Sequence, residues 1–200
     1  MMELYIARHG ETEYNLQRRW QGGGYDSPLT PKGIAQARGL REILRDVKFD
    51  AIYSSPLGRA MNTACIVFDD ERLFECRGKT DLRLKEVMVG EAEGMPYDDI
   101  ADIFPSVYPA LMHDPPAYIP PPGGENLTDM IVRVDSFLQE LAKKPYERAY
   151  VQAHGYVLRV VYACSQDKSV AAIGSAPIFD NCALARYTYS GNRWEYLADD

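Results

Sequence analysis

Four apolar residues, Leu4-Tyr5-Ile6-Ala7, run directly into Arg8-His9-Gly10. A run so short, stopped by a polar triplet, reads as a buried strand with a reactive group at its carboxyl end, where open α/β sheets carry their sites. The pattern recurs. Asp50-Ala51-Ile52-Tyr53 leads into Ser54-Ser55-Pro56, and Ala149-Tyr150-Val151-Gln152-Ala153 leads into His154-Gly155. Helical spacing follows each strand. Thr30-Pro31 reads as an N-cap with proline in the first turn, opening a helix that carries Ile34, Ala37, Leu40 or Arg41, and Leu44 along one side. Ser54-Ser55-Pro56 reads as the same device ahead of Arg59, Thr63 and Ile66, while Val157, Leu158, Val160, Val161 and Ala163 predict a buried helix after His154.

Alternating strands and helices of this kind predict an α/β fold with a mainly parallel central sheet and helices on both faces. The C-terminal segments Cys182–Tyr189 and Trp194–Leu197, joined by Ser190-Gly191-Asn192-Arg193, predict an antiparallel hairpin at one edge. Between Met95 and Asn126 the character changes. Pro105, Pro109, Pro115, Pro116, Pro120, Pro121 and Pro122 precede Gly123-Gly124, a composition that resists regular structure and suits an ordered loop or lid over a site. Helical periodicity then returns with Leu127, Met130, Ile131, Val134, Phe137, Leu138 and Leu141. A single domain over residues 1–200, with a proline-rich cap insertion at about 95–126, is the expected organisation.

Charge narrows the partners. With 29 acidic against 22 basic residues the net charge is -7, which leaves no broad basic surface for a nucleic-acid backbone or an anionic membrane. Any anionic ligand must be small and held locally. No apolar run approaches membrane-spanning length and no leader precedes Leu4, so a soluble cytoplasmic protein is expected. Cys65, Cys76, Cys164 and Cys182 are widely spaced and form no CxxC pair, the reading being ordinary core or surface residues rather than disulfides or zinc ligands.

The segment Arg8-His9-Gly10-Glu11-Thr12-Glu13-Tyr14-Asn15 resembles the signature of the histidine phosphatase superfamily, the phosphoglycerate-mutase-like proteins of branch 1. Further matching motifs follow in order. They are Gln21-Gly22 through Ser27-Pro28-Leu29-Thr30, then Ser54-Ser55-Pro56-Leu57-Gly58-Arg59-Ala60, Leu84-Lys85-Glu86 with Gly90-Glu91-Ala92-Glu93-Gly94, Gly123-Gly124-Glu125, and His154-Gly155. An isolated RHG triplet recurs by chance; motifs in order along nearly the whole chain do not.

This resemblance implies that His9 attacks phosphorus and becomes phosphohistidine. Imidazole attacks only through an unprotonated nitrogen, so the other nitrogen should carry the proton and donate it to an acceptor such as a backbone carbonyl. Arg8 and Arg59 can fork onto phosphate oxygens, and a protonated His154 would add a third cation. By resemblance Asn15 donates its amide to the phosphate, Gln21, Gly22 and Gly155 lie beside the substrate, and Glu86 is the general acid, which requires a raised pKa. No metal or other cofactor is implied, and the chain has none of the clustered ligand spacings of a two-metal site. The expected partner is a small phosphorylated metabolite, with a homodimer allowed.

Each residue has a bland reading beside this one. His9 alone would be an ordinary strand-end histidine, Arg59 a surface ion pair, and Glu86, near Glu91 and Glu93, one solvated glutamate among several. His113 reads as a loop residue, and Gly22-Gly23-Gly24 as a flexible loop at least as readily as an anion cradle, since no P-loop Lys-Ser/Thr follows. Tyr14, Ala92, Asn126, Ala153 and Tyr156 depart from residues frequent in the family, which bears on the pocket wall rather than on the charged groups. The leading expectation is a phosphatase. A cofactor-dependent mutase would generally have a longer cap than Met95 to Asn126, and a non-catalytic phosphate binder would have no use for Glu86 or an unprotonated His9.

Overall fold

A computed structural model describes residues 1–198; the last two residues of the expected 1–200 domain lie outside the described residues. The chain forms strand β1 (Met2–Arg8), helices α1 (Glu13–Leu16) and α2 (Pro31–Leu44), β2 (Ala51–Ser54), α3 (Gly58–Phe68), α4 (Leu73–Cys76) and the two-residue β3 (Lys79–Thr80). Then come α5 (Tyr97–Ile103), α6 (Val107–His113), α7 (Leu127–Leu141), β4 (Arg148–Ala153), α8 (Gly155–Ser165), α9 (Val170–Gly174), β5 (Leu184–Ser190) and β6 (Arg193–Leu197). The sheet order is β3-β2-β4-β1-β5-β6, parallel from β3 through β1 and antiparallel at β5 and β6.

This is the expected α/β fold with its edge hairpin. The turn uses Gly191 at φ 56° and Asn192 at φ 65°, the left-handed pair that matches the twist of a two-residue hairpin. The parallel strand β3 escapes the periodicity because its two residues are exposed and carry no apolar pattern.

Strand alternation divides the core between the two sheet faces. Leu4 and Ile6 pack with Val151, Val134, Leu138, Leu158 and Val161 on the side of α7 and α8, while Ala7, Ile52 and Tyr150 pack with Ala37, Leu40, Ala64 and Val67 on the side of α2 and α3. Burial of such faces, at roughly 25 cal/mol per Å² of apolar area, is what makes short helices stable here. Along α2 the buried positions are Gly33, Ala37, Leu40 and Leu44, so Gly33 replaces the expected Ile34. The reason is a backbone approach. A methyl at Gly33 would overlap the Glu11 carbonyl oxygen, and one at Gly10 would sit 2.6 Å from the Gly33 carbonyl.

Two further expectations are corrected. The proline-rich stretch contains regular structure after all, in α5, α6 and a 3-10 turn at Pro115–Ala117, and His113 is the last residue of α6 rather than a loop residue. Its prolines fall where a missing N–H costs nothing: Pro96 is the N-cap of α5, Pro109 lies in the first turn of α6, and Pro115 and Pro116 open the 3-10 turn. Nor does a serine cap α3. Its N-cap is Leu57, and the Asp26 carboxylate accepts from the Arg59 amide at 3.3 Å instead, while Ser55 Oγ lies 2.7 Å from His154 Nε2 and accepts from Leu57 N at 3.4 Å.

The close approach of α2 to the His9 loop predicts that Gly33→Ala lowers unfolding free energy by about 1–3 kcal/mol. Gly39→Ala, on the same helix with open space around it, should raise it by about 0.5–1 kcal/mol. Urea unfolding of the pair measures both; two changes of the same sign would mean that the Gly33 contact is not limiting.

Candidate active site

β1 delivers His9 to the centre of the sheet's carboxyl edge. Its amide donates to the Ala153 carbonyl at 3.0 Å, and its own carbonyl accepts from Cys182 N and from the Asn181 side chain at 3.1 Å. The imidazole is buried. Nδ1 lies 2.8 Å from the Gly10 carbonyl, and Arg59 Nε lies 3.3 Å from Nε2. Since a carbonyl can only accept and a guanidinium can only donate, Nδ1 carries the hydrogen and Nε2 keeps its lone pair. The acceptor expected for His9 is thus Gly10. Burial, reinforced by the Arg59 and Arg8 charges, holds the His9 pKa well below its ordinary value, so the ring is neutral.

Arg59, on the first turn of α3, is almost entirely enclosed. Its NH1 donates to Tyr25 O at 2.7 Å and to Asp26 Oδ1 at 3.0 Å, and its NH2 donates to Gly22 O at 3.0 Å. Much of the fork is therefore engaged with the 22–26 loop, and Gly22 meets Arg59 through its carbonyl. The triple glycine does receive an anion, but an internal one: Glu93 Oε2 accepts from Gly24 N at 2.7 Å, and side chains at Gly22 or Gly24 would collide with that carboxylate.

His154, between β4 and α8, lies beside His9, their rings 5.3 Å apart and edge to face. Burial, followed by the charges of Arg59, His9 and Arg8, drives its pKa well below the ordinary value. Its Nδ1 is buried without a hydrogen-bond partner among the described residues. Arg8 anchors NH1 on the Phe179 carbonyl at 2.8 Å and leaves Nε likewise unpartnered. Gly155 permits this, since a Cβ there would sit 3.3 Å from that Nε.

A cavity of about 240 Å³ opens between Arg8, His9, Asn15, Gln21, Glu86 and Gly155. His9 and Glu86 thus share one pocket, which the expected acid role requires. Arg59, Gly22 and His154 lie outside its lining, around His9. Glu86 is buried, and burial raises its pKa against the opposing pull of the Val87 and Tyr156 amides, which donate to its oxygens at 2.9 and 3.2 Å. Asn15 turns Oδ1 toward Thr12 and Asn181, and its side-chain Nδ2 has no hydrogen bond among the described residues. Gln21 bridges Thr12 Oγ1 and Ser27 Oγ, tying the N-terminal loops together. No group of three or more His, Cys, Asp or Glu converges to hold a metal ion among the described residues.

Several contributors carry no motif of their own that points to their task. Arg133, on α7, forks onto Glu125 at 3.0 and 2.6 Å while donating to the carbonyls of Arg83 and Lys85 at 2.6 and 2.7 Å. Glu125 also accepts from Met88 N at 3.0 Å, so the ion pair fixes both sides of Glu86. Helical periodicity alone leaves Arg133 as a polar position, and only Glu125, within Gly123-Gly124-Glu125, lies in a recognisable motif. Asn181 sits in an irregular segment where no periodicity could single it out.

The sequence pattern of the histidine phosphatase superfamily (branch 1) matches residues 4–198. The chain belongs to that superfamily. The histidine phosphatase fold is shared with Bacillus stearothermophilus YhfR, at a TM-score of 0.85 and 31% identity over 98% of this chain and 95% of that one. Among curated relatives, fructose-2,6-bisphosphatase TIGAR of Xenopus tropicalis is 35% identical over 147 residues, 73% of this chain and 52% of that protein. The present chain therefore spans about half the length of that relative. Phosphoglycerate mutase-like protein 4 of Arabidopsis thaliana is 34% identical over 162 residues, 80% of this chain and 69% of its own. No helix among the described residues is long and apolar enough to cross a membrane.

The two buried imidazoles make stability depend on pH. Both have folded pKa values below the 6.5 of a free histidine, so their contribution is present above pH 6.5 and is lost as pH falls toward the folded values. Each proton the unfolded chain alone binds costs about 1.4 kcal/mol per pH unit. Glu86 works with the opposite sign, its pKa being raised above 4.5, and offsets part of the loss just above that pH. Urea unfolding at pH 7.5 and 5.5 should show wild type losing stability on acidification and His154→Gln losing about half as much; equal losses would assign the second proton to another group.

Proposed function

We propose that this histidine phosphatase family member hydrolyses phosphomonoesters of small metabolites through a phosphohistidine on His9. The observation that carries the reading is the tautomer of His9: with Nδ1–H held by the Gly10 carbonyl, Nε2 presents its lone pair near Arg59 in the pocket that Glu86 also lines. In the first step the Nε2–phosphorus bond forms as the ester phosphorus–oxygen bond breaks, and Glu86 gives its proton to the departing oxygen. Glu86, now a carboxylate, then takes a proton from water as its oxygen attacks phosphorus. The phosphorus–nitrogen bond breaks, phosphate leaves, and His9 and protonated Glu86 are restored.

Phosphoryl transfer spreads charge over the equatorial oxygens, and the protein's task is to position and neutralise it. Arg8 supplies the unpartnered Nε, Asn15 its free amide, and Arg59 an adjoining fixed charge. A dianion arriving beside His154 would reverse the local balance that keeps the imidazole neutral and would let its unpartnered Nδ1 take part. The family resemblance supports these roles for Arg8, Arg59 and His154, with Gln21, Gly22 and Gly155 shaping the surrounding backbone. In this reading residues 95–126 form a cap of the same domain over the leaving-group side, since α5 and α6 contribute Tyr97, Tyr108 and Met112 to the cavity wall.

Phosphate release from a panel of phosphate esters in excess chelator, comparing wild type with His9→Ala, tests the reaction. Wild type should turn over, and the variant should fall by at least about 10³-fold, to background. Isomerised phosphoglycerate in excess of free phosphate would replace hydrolysis by a mutase. Glu86→Gln should slow alkyl phosphates by roughly 10²–10⁴-fold and 4-nitrophenyl phosphate far less, because an activated phenolate leaves without a proton. Equal losses for both esters would remove Glu86 from the acid role.

A further inference from the structure

We propose that the leaving-group side of this pocket is built for a flat, uncharged ring, so that the preferred substrates are phosphate esters of aromatic alcohols rather than of small polyanionic acids. The inference rests on the phosphatase reading and names its substrate class.

Three rings form one wall. Trp20 meets Tyr97 and Tyr108 edge to face with centroids 5.6 and 5.7 Å away, and Tyr97 and Tyr108 lie 5.4 Å apart. All three line the cavity, together with Tyr156 and Phe179. Backbone pairing holds this wall in place, since Trp20 N donates to Met95 O at 2.9 Å and Tyr97 N donates to Arg18 O at 2.9 Å. Aromatic rings in such edge-to-face clusters still offer ring faces and edges to a further ring, worth more than the buried area alone.

Charge points the same way. Residues 95–126 contain no lysine or arginine, while α5 carries Asp98, Asp99 and Asp102 and α6 ends beside Asp114. These aspartates are exposed and stand outside the cavity lining; what the segment gives the wall is Tyr97, Tyr108 and Met112, with no lysine or arginine to meet a second phosphate or a carboxylate. Arg159 of α8, the cation in the wall besides Arg8, has its fork occupied: NH1 donates to Leu111 O at 2.9 Å, and NH2 donates to Met112 O and Ile173 O at 3.1 Å each. Its Nε alone has no partner, and one N–H can meet a single oxygen on a ring but cannot fork an anion. The guanidinium instead lies 5.1 Å from the centroid of the Tyr156 ring, a cation–π support for another aromatic surface of the cavity.

Non-hydrolysable phosphonates separate this inference from the reaction beneath it. By isothermal titration calorimetry on the full chain, benzylphosphonate should bind at least about tenfold more tightly than 3-phosphonopropionate. Tyr108→Ala, a half-exposed position whose loss the fold tolerates better than that of Trp20, should shrink that ratio several-fold. Equal or tighter binding of the carboxylate-bearing phosphonate, or a ratio indifferent to Tyr108→Ala, would overturn the ring site even if the enzyme hydrolyses esters. Ring-selective binding with no release of phosphate from benzyl phosphate would uphold the ring site and overturn the hydrolytic reading.

Discussion

The site depends on one enclosed cation. Arg59 reaches from the first turn of α3 to His9 Nε2, Gly22 O, Tyr25 O and the Asp26 carboxylate, so a single side chain joins His9 to the loop that walls it. Burial lowers its pKa, and Asp26, which is partly exposed, is the first charge that pulls it back. A buried ion of this kind is a weak source of net stability but strongly specifies geometry, because any other arrangement leaves it without partners. The close backbone contacts at Gly10 and Gly33 serve the same end from the opposite side, leaving the His9 loop little room to move.

A second, independent brace acts on Glu86. The Arg133–Glu125 pair links α7 to the backbone on both sides of the glutamate, and the Tyr156 amide in the first turn of α8 holds one of its oxygens. Glu86 itself contributes only a side chain to a segment with little regular structure of its own. Its precision is borrowed from two helices, one through an ion pair and one through an N-terminal N–H. Glu93 does comparable work for the glycine loop. Glu93, Glu125 and Glu86 all accept from backbone amides, and of them Glu86 also lines the cavity.

Much of this was legible in the chain because strand ends and motifs coincide. His9, Glu86, Asn15 and Gly155 fall around one cavity as their motifs imply, with Arg59 and His154 packed about His9, and the sheet follows from apolar runs that only a two-sided burial explains. What was not legible depends on tertiary context. Proline counts misread α5 and α6, since the harm a proline does depends on its place in the turn rather than on its number. Ser55 has the composition of a helix cap and instead meets His154, leaving the cap to Asp26, a residue some thirty positions earlier in the chain. Arg133 and Asn181 look like ordinary polar positions, and their partners come together only when α7 and the segment before β5 pack against the site.

The protonation of the site follows from the same placement. Two arginines and two histidines meet in one buried volume of a protein whose net charge is -7, so the attraction for an anion is local and is not part of a basic surface. With four basic groups so close, the two that can give up their protons do so: both imidazoles are neutral, and the charge stays on the guanidiniums, which cannot be deprotonated. Burial pushes the Glu86 pKa upward in the same volume, against the pull of two backbone amides and the arginines. An imidazole nitrogen without a proton, which the Arg59 Nε–H faces at 3.3 Å, thus lies beside a carboxyl whose pKa burial raises. An incoming dianion favours protonation of His154 and of Glu86 alike, so these groups titrate as a coupled set, and any pH profile of turnover belongs to the set rather than to one residue.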